Sequence, residues 1–374
     1  MRSTVIERRR ALALLGAVGL APWLSRTAGA GPRDIFLSAR ADGQGRYWFS
    51  GLDAEGGRRF DVVLPGRGHS AATHPRLPLA VVFARRPGRF ALAVDWRRGR
   101  VVARFAPPED RHFYGHGVFS PDGRLLYACE NDFEARRGAI GIYETARGFA
   151  RVGEWASHGI GPHDLRLLSD GATLAVAIGG IATHPDLPRL KLNLPTMASA
   201  LALIDRRDGA LVGRHRLAPA FHKASIRHLA LARGDRIAVA MQYEGPAGDL
   251  VPLLGVSERG RPIRLFDAPA PAIRALRQYC GSVACDTAGA VIAASSPRGN
   301  VLTFWEAENG RHLFTTPVAD GCGVAAAGGP GRFLASSGRG GLFLIDVARR
   351  RVARIGPPPR AGLAWDNHLV PTGG

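Results

Sequence analysis

The 374-residue sequence predicts an all-β protein, a seven-bladed β-propeller closed by strands from its N- and C-terminal regions. Three observations carry that expectation. A strand–turn–strand unit recurs along the chain, and a third strand ending in Asp or Glu follows most copies. Gly (48) and Pro (26) are also abundant without a collagen-like period, as many short strands joined by tight turns require.

The unit is clearest over residues 114–128, where a short strand meets the turn Pro121-Asp122-Gly123 and a second apolar strand follows. It returns at 68–83, 162–177, 227–241, 280–294 and 322–336. Third strands are expected at 91–95, 140–144, 200–205, 301–306 and 341–346, and edge strands at 101–105, 152–155, 211–217 and 312–315. The spacing runs from about 42 to about 55 residues, with one interval near 65 where residues 181–197 are inserted. Four strands at this period form a propeller blade, whose sheet buries its faces only against its neighbours. Six units are complete. Residues 362–369 supply the inner strand of a seventh and 35–39, 47–52 and 60–64 its outer three, which removes open edges. Helix is expected only at 270–279.

Residues 1–30 read as a twin-arginine export signal and 31–374 as a single propeller domain. Arg9-Arg10 with Leu12 resembles the twin-arginine consensus, with Arg8 in place of the usual Ser or Thr. An apolar run over 11–20 and the small residues Ala28-Gly29-Ala30 follow. An ordinary Sec signal is the alternative, and either route places the mature protein in the periplasm. No stretch after residue 30 holds eighteen consecutive apolar residues, so no transmembrane segment is expected there.

The formal charge of +19 is almost entirely arginine, with Lys191 and Lys223 the only lysines. Basic residues fall at turns (85–86, 97–98, 136–137, 206–207, 349–351) rather than on one face or among aromatics, so solvated turns are expected and no nucleic-acid partner. The four cysteines include no CxxC pair, which disfavours structural zinc. Cys280 and Cys322 occupy matching places 42 residues apart, on adjacent inner strands where a disulfide is permitted but not required. No GxSxG elbow, Walker loop, HExxH or CxxCH is present. Glu130 and Asp132 could pair as acid and base, although the turn 130–134 reads as a solvated loop.

Histidine placement is the distinctive feature. His69, His116, His163 and His228 fall within two residues of the same place in four blades, just before the innermost strand, and His368 lies close to it in the closing blade. Inner strands surround the central channel, so these rings should converge. The same loops carry Asp132, His158, His184, Lys191, Asn193 and Lys223, and further along Arg227, Gln242, Tyr243, Arg298, Asp366 and Asn367, a polar set suited to a ligand. Two readings follow. In one, each histidine bonds the neighbouring blade, as structural histidines of WD repeats do. In the other, the imidazoles form a site for copper, iron or zinc, with Asp132, Asp164 and Asp366 as acceptors for the second ring nitrogens.

The blocks 112–120, 157–163, 191–194, 225–229 and 365–369 resemble an uncharacterised bacterial family, domain of unknown function 1513, from about residue 35 to the C-terminus. The resemblance implies an exported seven-bladed propeller associated with imelysin-like and di-haem oxidase-like periplasmic proteins of iron uptake. It carries over no catalytic residue. The expectation is a non-enzymatic periplasmic propeller that binds copper, iron or a small iron-related ligand at its histidine-lined mouth. The alternative is an interaction scaffold of a periplasmic iron-acquisition assembly, with purely structural histidines. A lactonase- or quinoprotein-type enzyme would need clustered carboxylates that are thin here.

Overall fold

The second strands of the repeats are apolar on both faces, as in Leu79–Ala84 and Thr173–Ile178, where nearly every side chain is buried. A strand alternates its side chains between two faces, so such a sequence requires a packed neighbour on each side. The computed structural model, which describes residues 35–187, 190–258 and 261–373, supplies those neighbours by arranging seven small antiparallel sheets in a ring. The expected export signal lies outside the described residues.

Blades one to six begin with the innermost strands Gly68–Thr73, Arg111–Phe119, Pro162–Leu167, Ala224–Ala232, Ser282–Cys285 and Gly321–Ala326. Each is followed outward by three more strands in chain order. Blade seven joins Phe36–Ala41, Tyr47–Leu52 and Arg58–Leu64 to two short C-terminal strands, Ala364–Trp365 and Val370–Pro371, which both pair with Phe36–Ala41. Consecutive innermost strands touch all the way round, from blade seven back to blade one. The expected blade count and ring closure are therefore as observed.

The core is divided among the blade interfaces. Leu37, Ala39 and Phe49 of blade seven pack on Ala80, Val82 and Leu92 of blade one, while Val81 and Phe83 point the other way, onto Phe113 and Leu126 of blade two. The same alternation puts Ile140 against Val176 between blades two and three, and Phe304 against Phe333 between blades five and six. Each fully buried side chain of this size contributes about 1.5–3 kcal/mol of transfer free energy, so adjacent blades stabilise one another. Outer strands such as Arg100–Phe105 alternate exposed and half-buried residues, so one face of the strand is left to solvent.

Three expectations need correction. The helix is shorter than residues 270–279: it spans Ala270–Ala275, and left-handed backbone at Arg277 (φ 45°) and Gln278 (φ 55°) ends it. Blade four carries outer strands at Leu254–Ser257 and Arg264–Leu265 that had no counterpart in the sequence reading. Residues 130–132 do not form a solvated loop. Glu130 is fully buried, accepting a bond from Tyr143 Oη at 2.6 Å and pairing with Arg151 at 2.9 Å.

Candidate functional site

Five of the seven innermost elements bring a histidine to the channel, four of them beside a shift in strand register. The pairing of the first two strands shifts register between Gly68 and Ala71 in blade one, between Phe113 and Gly117 in blade two, between Pro162 and Asp164 in blade three, and between Ile226 and His228 in blade four. A bulge of this kind releases a residue from the pleat and re-aims its side chain. The released segments hold His69, His116 and His163, and in blade four Arg227 beside His228. In blade seven the same effect comes from the gap between the two C-terminal strands. There the Asp366 amide bonds Ala39 O at 2.9 Å, and Ser38 Oγ donates to His368 O at 2.7 Å.

Blade six also shifts register, between Gly321 and Val324, but presents no histidine. Its Gly323 leaves the room that the closing segment uses: a Cβ there would stand 2.7 Å from His368 C and Leu369 N. In blade two, Gly115 adopts φ 99°, and a Cβ on it would strike the His69 ring.

The five rings converge. Their centroids lie 5.1 Å apart for His69–His116, 4.5 Å for His69–His368 and 4.6 Å for His116–His368. The His163–His228 and His228–His368 pairs are 4.8 Å and 4.9 Å apart. Two overlapping triplets, His69-His116-His163 and His116-His228-His368, each place one nitrogen per ring within 4.8 Å of the others.

Two rings are anchored from behind. His69 Nδ1 lies 3.0 Å from Asp366 Oδ1, and His116 Nδ1 lies 3.2 Å from Asp164 Oδ1. Burial alone would raise both carboxyls. Instead His69, Arg85 and Arg67 hold Asp366 below the usual carboxylate range, and Arg166 and His116 do the same for Asp164. Burial pushes His69 down to about 4 against the opposing pull of Asp366, and drives His163, His228 and His368 well below the ordinary imidazole value. Those rings are therefore neutral near pH 7 and keep a lone pair free for ligation. Of the ring nitrogens, His116 Nε2, His163 Nδ1, His368 Nε2 and both of His228 are buried without a hydrogen-bond partner.

Above the rings lies a cavity of about 200 Å³. Lys191, Arg227, Gln242, Arg298 and Asn367 line it as the sequence suggested, together with Arg85, Arg86, Tyr114, Glu244 and Tyr279, which sequence reasoning missed. Arg85 and Arg86 do not sit in a merely solvated turn: that turn follows the second strand of blade one and opens on the channel. Glu244 and Arg298 hold the corresponding places in blades four and five, so a rule that the end of each second strand faces the mouth would have found them.

The remaining expected site residues are used elsewhere. Asp132 pairs with Arg137 at 2.7 Å and Arg111 at 3.5 Å instead of backing a histidine. His158 bonds Gly209 O at 3.0 Å, His184 faces Glu134 at 3.5 Å, and Tyr243 donates to Asp249 at 2.7 Å. Asn193 ties down the inserted loop, accepting from the Ala182 amide at 2.7 Å and donating to Gly180 O at 3.0 Å. Lys223 is half-buried outside the cavity wall. All four cysteines are free, and Cys280 precedes the blade-five inner strand instead of lying within it.

Fold and site together define a seven-bladed β-propeller with a buried polyhistidine cluster at one end of its channel. The chain belongs to the family described as "Protein of unknown function (DUF1513)", which matches residues 62–372. Among solved structures it is similar to Kuenenia stuttgartiensis hydrazine synthase, at 14% identity and a TM-score of 0.58, covering 86% of this chain and 94% of that one. That likeness concerns the fold alone. No curated protein matches the chain. Among the described residues no helix is long and apolar enough to cross a membrane.

Proposed function

We propose that the protein is a periplasmic, non-enzymatic metal-binding propeller whose channel histidines hold one copper or iron ion. The supporting observation is the set of buried ring nitrogens without partners. An unsatisfied buried polar group costs about 1–3 kcal/mol, and two overlapping triplets of these rings bring ligand nitrogens within 4.8 Å of one another. Metal–imidazole bonds of about 2.0–2.1 Å set nitrogens at most about 4.2 Å apart across an ion. Separations of up to 4.8 Å close to that span with small ring rotations. The two triplets overlap at His116, and imidazole donors suit copper and iron. In this reading His69 and His116 are held in orientation by Asp366 and Asp164, which fix which nitrogen faces the centre. Delivery by the twin-arginine route would allow loading before export.

The scaffold reading also has support, since the His69–Asp366 and His116–Asp164 bonds fasten blade one to seven and blade two to three. It leaves the nitrogens of His228 and His368 unexplained. Elemental analysis of natively exported protein, followed by calorimetric titration of stripped protein with copper and iron salts, separates the two. One ion per chain is expected, with binding lost when His116, His228 and His368 are all replaced by asparagine. No ion in the exported protein and no heat with either metal would leave a scaffold.

A further inference from the structure

The walls of the cavity over the histidines carry far more positive charge than they can use. Five of its lining residues are cationic (Arg85, Arg86, Arg227, Arg298 and Lys191) against one carboxylate, Glu244. Three of the five are engaged. Arg85 bonds Asp366 at 3.1 Å, Lys191 pairs with Glu244, and Arg298 lies 4.4 Å over the Tyr279 ring. Arg86 and Arg227 form no ion pair among the described residues, and Arg227 Nε is buried without a partner.

Two like charges held together in a recess stabilise nothing by themselves. They favour an anionic partner, and planar guanidinium groups favour oxyanions that accept two parallel hydrogen bonds. The volume of about 200 Å³ equals that of roughly seven waters at about 30 Å³ each, which suits a small polycarboxylate or a phosphate. His69, His163 and His228 form the floor of the same cavity, so an anion bound there lies next to the ring nitrogens. A bare cation entering between neutral imidazoles beneath these arginines would be repelled. One accompanied by an anion would not.

We propose that Arg86 and Arg227 bind a small polyvalent oxyanion, of the polycarboxylate or phosphate class, placed so that one of its oxygens completes the coordination of an ion on the histidines. The second half rests on the metal reading above; the anion site stands on the arginines alone.

Calorimetric titration of metal-free protein at low ionic strength with citrate, and separately with inorganic phosphate, tests the first half and tells the two sources apart. At least one probe should bind. The Arg86→Gln/Arg227→Gln double variant should lose at least tenfold in affinity, while Arg207→Gln, an exposed turn change in blade three, leaves it unaltered. Melting temperatures of both variants close to wild type show that the loss is local. On metal-loaded protein the same probe should bind at least tenfold tighter. Failure of the protein to take up metal removes only this last comparison. Neither probe binding, or the double variant binding like wild type, overturns the anion site. Equal affinity with and without bound metal overturns the contact between anion and ion.

Discussion

Replacing His69 with asparagine in the metal-free protein isolates the energetic cost of one buried imidazole. The side chain is 5% exposed, and its folded pKa of about 4 lies below the ordinary 6.5. The unfolded chain therefore takes up the proton first. Stability is intact above pH 6.5, declines as pH falls through 6.5, and levels off below about 4. Linkage over that shift gives a loss of about 1.4 kcal/mol at pH 5.5 and about 2.5 kcal/mol at pH 4.5 for this group alone. His163, His228 and His368 shift in the same direction and add to the total. Urea unfolding followed by tryptophan fluorescence at pH 7.5, 5.5 and 4.5 measures the effect. The His69→Asn variant keeps an amide able to donate to Asp366 but cannot titrate, so its stability should fall less steeply by these amounts. Parallel losses in wild type and variant would refute the claim that burial holds this ring neutral.

Gly323→Ala should lower stability by about 1–3 kcal/mol through overpacking and weaken the proposed metal binding, because its Cβ would displace the backbone of His368. Unchanged melting temperature and unchanged titration would show that the closing segment has slack. Glu130→Gln should cost about 3–5 kcal/mol in chemical denaturation, as expected when a buried ion pair loses one partner, since it removes the charge facing Arg151 and Arg111. A loss under 1 kcal/mol would mean that Glu154 takes over. Unreduced protein should yield four titratable thiols once unfolded and react slowly while native, because burial pushes Cys280 and Cys285 up to about 12. Fewer than four would reveal a bridge.

The blade pattern was legible because its cause is local. Residues such as Leu79 to Ala84 must be apolar at every position if both faces are covered, and Pro121-Asp122-Gly123 marks the reversal. Blade four was harder to read, since its third strand waits until Leu254, after a Gly- and Pro-containing excursion from Glu244. The convergence of five histidines followed from their shared place in the repeat. The bulges that aim them did not, because a register shift depends on two strands at once and leaves no mark in either alone. The arginines were misjudged for a similar reason. Arg85-Arg86 and Arg97-Arg98 look alike in sequence, and only the order of strands within a blade shows that the first pair faces the channel and the second the rim. Asp132 sits at the right end of its strand, but the guanidiniums of Arg111 and Arg137 claim it.

Closing the ring with strands from both ends has a consequence for when the centre comes into being. His368 and Asp366 lie within the last ten residues, while their partners Ser38 and His69 come from the other end of the chain, separated by some 300 residues of sequence. No shortened or half-synthesised chain contains the complete set, so the five rings come together only after the final segment has docked. An ion shared by His69 and His368 would then act as a clasp. Whatever free energy it gains by binding is unavailable to any open form, and so opposes the parting of blade seven. Occupancy of the centre would thus report that the circle had been completed, and removing the ion should loosen the seam between the chain's two ends first.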